Sequence, residues 1–293
     1  MREIPRELYP FEAHFLDLDG LRYHYLDEGS GEVVVAVHGN PTWSFYYRDL
    51  VRSLRGEYRV VVPDHIGCGL SDKPGDDAYD YTLSRRIDDF SRLMDELSVE
   101  DINLVVHDWG GMIALAWAVR HPDRIKRLVV FNTAAFGLPE TKRFPWQLWM
   151  VRDTPLGPFM VRGLNAFARG ATHLACTRKK LPKEVRDAYC APYDSWSDRV
   201  ATLRFVQDIP LRPGDRGFEI LSDTAAKLEM FRDRPVLVCW GDKDFVFDYH
   251  FLDVWQRVYP NAEVHRFADC GHWVLEDASE EVIPLVQNFL RSP

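Results

Sequence analysis

The stretch Leu104-Val105-Val106-His107-Asp108-Trp109-Gly110-Gly111 decides how the chain folds. Leu104 to Val106 is a short β-branched apolar run of the kind that forms a buried strand. It stops at His107-Asp108-Trp109, and Gly110-Gly111 then open an apolar helix from Met112 to Val119. Strand, sharp turn and helix, with glycines where the two elements crowd each other, is the layout of a nucleophile elbow. The tip carries a carboxylate, Asp108, in place of a hydroxyl. A carboxylate that attacks an acyl carbon gives an anhydride. One that attacks saturated carbon displaces a leaving group and gives an ordinary alkyl ester. Cleaving that ester takes water aimed at the carboxyl carbon of Asp108, and therefore a histidine base. The competing role for Asp108 is a helix N-cap.

Outward from the elbow, the same alternation repeats. Val33–Val37 is an apolar strand ending in His38-Gly39-Asn40-Pro41, followed by a helix over Thr42–Leu54. Val60–Val62 leads into the glycine- and proline-punctuated loop Pro63–Pro74. Thr82 is placed to cap a helix whose apolar positions Ile87, Phe90, Leu93, Met94 and Leu97 follow helical spacing. Leu128–Phe131, Val236–Trp240 and Val264–Phe267 supply further strands, with helices near Phe251–Val258 and Glu280–Leu290. Near the start, alternation about Asp19-Gly20 spells a hairpin. The pattern predicts an α/β fold: a mostly parallel sheet with helices on both faces. From Ala134 to Asp215 no β-run occurs, and aromatic helical segments are broken by proline. That region reads as an inserted helical cap, residues 134–215, on a core of residues 1–133 and 216–293. Most cap aromatics serve helix packing. Phe136, Trp149, Phe167 and Leu211 are candidates to face a cavity.

Composition narrows the function. The 293 residues are 46% hydrophobic with a net charge of -9, and no basic run is long enough to track phosphates, which excludes nucleic acid as a partner. Cys68, Cys176, Cys190, Cys239 and Cys270 are odd in number and widely spaced. They read as reduced thiols, not as a disulfide frame or a metal site. Met1–Glu7 lacks the apolar core of a signal peptide, and no window reaches about 18 apolar residues. The expectation is a soluble cytoplasmic protein, without membrane association, metal or organic cofactor, acting on a small apolar substrate and water. Self-association into a homo-oligomer stays open.

Four sites fall where apolar strands end, the edge at which a parallel sheet gathers functional groups. Asp108 is one. His272, exposed by Gly271 directly after the last strand, can reach back as base. Trp240-Gly241-Asp242-Lys243-Asp244 follows the penultimate strand and must hold the carboxylate that orients the imidazole. Asp242, Asp244 and Asp248 compete; Asp244 is preferred because the third residue after such a turn points back, while Asp242 and His250 stay solvated. The alternative position for the acid, after Phe131, holds the uncharged Asn132. At the fourth site the backbone N–H of Asn40, with that of Trp109, would form an oxyanion hole for the tetrahedral intermediate on Asp108. The Asn40 amide and Trp109 indole are neutral N–H donors suited to holding a soft anion briefly; against this, Asn40 could serve a local turn and Trp109 could simply pack.

Together His38-Gly39-Asn40-Pro41-Thr42, Gly67–Pro74, Val106–Gly111 and Gly271-His272 resemble the haloalkane dehalogenases of the α/β-hydrolase fold. The resemblance spans nearly the whole chain and is least specific in the cap. It implies Asp108 as nucleophile, His272 as base, Asp244 as acid, and Asn40 with Trp109 as the halide-holding pair. Asn132 departs from the subfamily whose glutamate acid follows the preceding strand. The same five residues also occur in the β-lactone decarboxylases of bacterial olefin biosynthesis, and Asp208–Pro213 is similar to that group as well. Hydrolytic dehalogenation, giving alcohol and halide through an ester on Asp108, is therefore ranked first. Second is a β-lactone decarboxylase giving an alkene and carbon dioxide. An epoxide hydrolase using cap tyrosines Tyr189 and Tyr193, or a ligand-binding homologue without turnover, ranks below both. Cys270, two residues before the base, has no assigned role beyond packing.

Overall fold

The structure is a computed structural model that describes residues 4–292; Met1, Arg2 and Glu3 of the N-terminal reading lie outside the described residues. Eight strands form one sheet: β1 (His14–Leu18), β2 (Leu21–Gly29), β3 (Glu32–Val37), β4 (Tyr58–Pro63), β5 (Ile102–Asp108), β6 (Ile125–Thr133), β7 (Val236–Gly241) and β8 (Glu263–Phe267). Their spatial order is β1-β2-β4-β3-β5-β6-β7-β8. β1 and β2 pair antiparallel through Leu18↔Leu21, with Asp19 and Gly20 both at positive φ as a two-residue hairpin turn requires. β2 also runs antiparallel to β4, and the remaining strands are all parallel.

The period-two alternation of β-branched residues explains how both faces are buried. Val35, Val61, Leu104, Val106, Val130 and Val238 point to one side, against α2 (Leu83–Glu96) and α3 (Trp109–Ala118). Val34, Ala36, Val60, Val105, Val129 and Leu237 point to the other, whose core includes residues of α1 (Arg48–Leu54). Thr82 caps α2, its hydroxyl accepting from the N–H of Arg85. The expected single helix over Thr42–Leu54 is split: Ser44–Tyr47 winds as a 3-10 turn before α1 begins.

Between β6 and β7, residues 134–215 hold only helices and turns: α4 (Trp146–Asp153), α5 (Leu156–Pro158) with a π-helical continuation Phe159–Gly163, α6 (Ala166–Leu174), α7 (Lys183–Cys190) and α8 (Val200–Gln207). They enclose a small apolar cluster of their own, built on Leu148, Val151, Val161, Leu203 and Val206. The chain re-enters the sheet layer through α9 (Phe218–Lys227). α10 (Tyr249–Val258) links β7 to β8, and α11 (Val274–Asp277) and α12 (Ser279–Arg291) complete the fold. Among the described residues no helix is long and apolar enough to cross a membrane.

Candidate active site

The elbow forms because β5 ends directly at α3. A side chain on Gly110 would drive into the carbonyl of Val37, and one on Gly111 into Thr133. Asp108 sits between them at φ +50°, a backbone state that non-glycine residues adopt only under constraint. Its side chain makes no cap hydrogen bond to α3, so the N-cap alternative does not describe it. The Asn40 N–H instead donates to Asp108 Oδ2 at 2.6 Å, and the N–H of Trp109 bears on the same carboxylate. Burial pushes the Asp108 carboxyl up to about 6, against the pull of His272 and those N–H groups.

His272 lies after β8 with its Nδ1–H donating to Asp244 Oδ2 at 2.7 Å. Burial alone would lower its pKa, but the charge and hydrogen bond of Asp244, with the charge of Asp108, outweigh burial and raise it. Asp244 is itself buried, and its second oxygen accepts from the N–H of Val246 at 2.8 Å. The loop after β7 separates the competing acids. Asp242 turns outward to Arg266, and Asp248 caps α10 and meets Lys142. His250 contacts Thr141. Asn132 acts as a staple: its amide donates to the carbonyls of Gly241 and Phe247, and its oxygen accepts from the N–H of Gly241. It braces the loop that carries Asp244 without contributing charge.

A cavity of about 550 Å³ opens above these groups, with Asn40, Asp108, Trp109 and His272 on its floor. The rest of the wall is almost wholly apolar. Phe136, Phe167 and Leu211 line it, but Trp149 does not. α4 starts directly after Pro145 and presents Gln147, Leu148, Met150 and Val151 to the cavity, while Trp149 points out and is 53% exposed. One Asn40 Nδ2 hydrogen is given to the Thr202 carbonyl of α8 at 3.1 Å, which leaves the second for an anion. Tyr189 and Tyr193 are fully buried away from the cavity, against Glu276 and the Thr42 carbonyl, and offer no proton to an alkoxide. The Cys270 thiol is buried, and desolvation pushes it up to about 12, so it stays protonated. Among the described residues no group of His, Cys, Asp and Glu converges as metal ligands would.

Three contributors to the site carry no local sequence signal. His107 donates from Nε2 to the His272 carbonyl at 2.9 Å; burial drives its pKa well down, so it is neutral. Asp277 is buried and accepts from four backbone N–H groups: Gly271 at 2.7 Å, Thr177 at 2.9 Å, Arg178 at 3.1 Å and Lys179 at 3.3 Å. It fastens the start of the base-bearing loop to residues 177–179 of the helical layer. Arg48 and Glu276 form a buried ion pair that also receives the Tyr189 hydroxyl. Apart from Gly271, six residues from Asp277, these partners lie 87 to 228 positions apart in the chain, beyond the reach of any periodicity.

Comparison with known proteins adds four likenesses. A family model described as alpha/beta hydrolase fold matches residues 32–279. A cis-3-alkyl-4-alkyloxetan-2-one decarboxylase of Shewanella oneidensis is 57% identical over 97% of this chain and 89% of that protein. A haloalkane dehalogenase of Mycobacterium marinum is 34% identical over 94% of this chain and 92% of that protein. Among solved structures, the haloalkane dehalogenase DatA from Agrobacterium tumefaciens C58 superposes with a TM-score of 0.86 at 26% identity, covering 95% of this chain and 96% of that one.

Proposed function

The chain belongs to the α/β-hydrolase fold family, and from that premise we propose that it converts cis-3,4-dialkyl β-lactones to alkenes with loss of carbon dioxide. The observation that carries this reading is the 57% identity, over nearly the whole chain, to a decarboxylase of cis-3-alkyl-4-alkyloxetan-2-ones, against 34% to a haloalkane dehalogenase. It reverses the order that the motifs alone suggested. The cavity has room for such a substrate: its volume suits a drug-sized apolar ligand, and apart from Gln147 its polar groups lie on the floor.

Asp108 is the nucleophile in this reading. It attacks the ring carbon that bears both an alkyl group and the ring oxygen. The carbon–oxygen bond breaks, giving an ester on Asp108 and a free carboxylate. The Asn40 amide and Trp109 indole receive that new charge. The bond to the carboxyl carbon then breaks, its electron pair forms the alkene, and the ester bond breaks in turn. Asp108 returns as a carboxylate, and no water or external proton is consumed. The apolar wall favours the step, because a carboxylate loses its charge on becoming carbon dioxide. His272, held by Asp244, keeps Asp108 ionised. The Asn40 and Trp109 N–H groups steady its oxygen throughout. Residues 134–215 serve as a cap that shapes the room for two alkyl chains. Five cysteines, all free, fit a reducing compartment and a cytoplasmic location.

The test is to incubate the purified protein with a cis-3,4-dialkyl β-lactone and, in parallel, with 1-bromobutane. Gas chromatography should detect an alkene that keeps the cis arrangement of the ring, since inversion at the attacked carbon is followed by anti elimination. Bromide release outrunning lactone consumption, or a β-hydroxy acid as the main product, would return the assignment to hydrolysis.

A further inference from the structure

Behind the cavity wall, a cation is buried beside the indole that faces the leaving group. Arg86 of α2 has a fully buried side chain. Its guanidinium carbon lies 3.7 Å from the Phe205 ring centroid, 5.7 Å from that of Trp109 and 6.0 Å from that of Tyr81. Phe205 in turn meets Trp109 edge-on at 5.2 Å. Only Nη1 is engaged. It donates to the Tyr81 carbonyl at 2.9 Å and lies 3.6 Å from Asp208 Oδ2. Nε and Nη2 have no hydrogen-bond partner among the described residues. Asp208 ends α8, and its Oδ2 also accepts from the N–H of Leu83 at 2.6 Å.

A guanidinium boxed in aromatic rings with three of its five N–H donors unmet among the described residues is expensive, and a carboxylate at 3.6 Å compensates it only in part. An aliphatic side chain of similar volume would fill the same box at less cost. What the charge adds is a positive field on the indole. A cation at the ring face withdraws π density, and in a dry medium its field reaches past the ring to an anion at the N–H edge.

Resting on the decarboxylase reading above, we infer that Arg86 is a positioning residue for the leaving group. Its charge strengthens Trp109 as a donor to the carboxylate uncovered when the lactone ring opens, and Asp208 tempers that charge. The intact lactone is neutral. The effect therefore falls on the transition state and belongs in kcat, not in KM.

The experiment reads the indole directly. The Trp109 Nε1–H resonance, assigned with Trp109→Phe, is followed by NMR as hexanoate or bromide is titrated into the full-length protein. Arg86→Met should weaken hexanoate binding about tenfold and lower kcat for lactone by a similar factor, with KM within about twofold. Arg86→Lys should hold affinity to within about threefold. Asp208→Asn, which removes the opposing charge, should tighten hexanoate about threefold or more. A purely structural strut predicts that Arg86→Met and Asp208→Asn weaken binding alike; that result, or no change in either, overturns the inference. If Arg86→Met does not fold, the sign of the Asp208→Asn effect decides. If lactone is not consumed but these affinities still shift in opposite directions, the decarboxylase reading falls and the anion site stands. Lactone turnover without those shifts sinks Arg86 alone.

Discussion

The floor and the roof of the cavity divide the work by chemistry. The floor places Asn40, Asp108, Trp109 and His272 at the ends of parallel strands, each held by hydrogen bonds or close backbone packing. The roof, from α4 to the segment before α9, contributes apolar side chains to the wall, with Gln147 the polar exception. Strand ends are fixed by the ladder on either side, so a reactive atom placed there keeps its position. Helices packed over a small private core hold shape but no charge. Reactivity should therefore be lost by changes below, and chain-length preference altered by changes above.

The sharpest way to break that division is Asp108→Asn, which should lower lactone turnover by about 10⁴ or more while the fold persists. Because burial raises the Asp108 carboxyl to about 6, the ionised form is destabilising above that pH. Between the unfolded carboxylate value and about 6 the folded state binds more protons than the unfolded one, so this contribution to stability falls as pH rises through the window. Asp108→Asn should then raise Tm by a few degrees at neutral pH, while wild-type turnover drops as pH falls below about 6.

His272→Ala should cost about 10²–10³ in kcat, since it removes the positive neighbour that helps keep Asp108 ionised. Its pH–rate profile should also shift its acidic limb upward, and a profile identical in shape to wild type would count against the pairing. Asp277→Ala strands four backbone N–H groups and should lower stability by about 3 kcal/mol in denaturant unfolding. The smallest effects belong to the roof. Phe167→Ala should change the preferred chain length with about a tenfold loss for the best substrate. Trp149→Ser, on the outer face of α4, should stay within about twofold.

This contrast also governs what could be read before the structure. Val33–Val37 and Leu104–Val106 announce strands because both sheet faces are buried and every position must be apolar. The glycines after Asp108 announce the elbow because no other residue fits against Val37. The preference for Asp244 over Asp242 followed from turn geometry, and the structure places the two on opposite sides of that turn. The roof gave less. One step of helical phase moves a side chain from wall to solvent, so aromatic content alone did not distinguish Trp149, which points out, from its neighbours Leu148 and Met150, which line the cavity. Asp277, His107 and Arg86 draw their meaning from partners brought near by the fold. Nor could the five polar residues rank halide against carboxylate, since on either reading an anion would depart toward the same two N–H groups; overall likeness to relatives was needed for that.

The grip of Asp277 on residues 177–179 has a further consequence. Ala175, one residue past the exposed rim side chain Leu174, accepts from the N–H of Trp273, so the strip from 175 to 179 is bolted to the mount of His272. A hinged lid swinging at that margin would dislodge the imidazole each time it opened. Opening that leaves the imidazole in place has to occur at other parts of the rim, where Leu174, Gln147 and Phe245 are exposed cavity-lining side chains. Substitutions that loosen residues 175–179 should therefore lower turnover through His272 as well as through the cap.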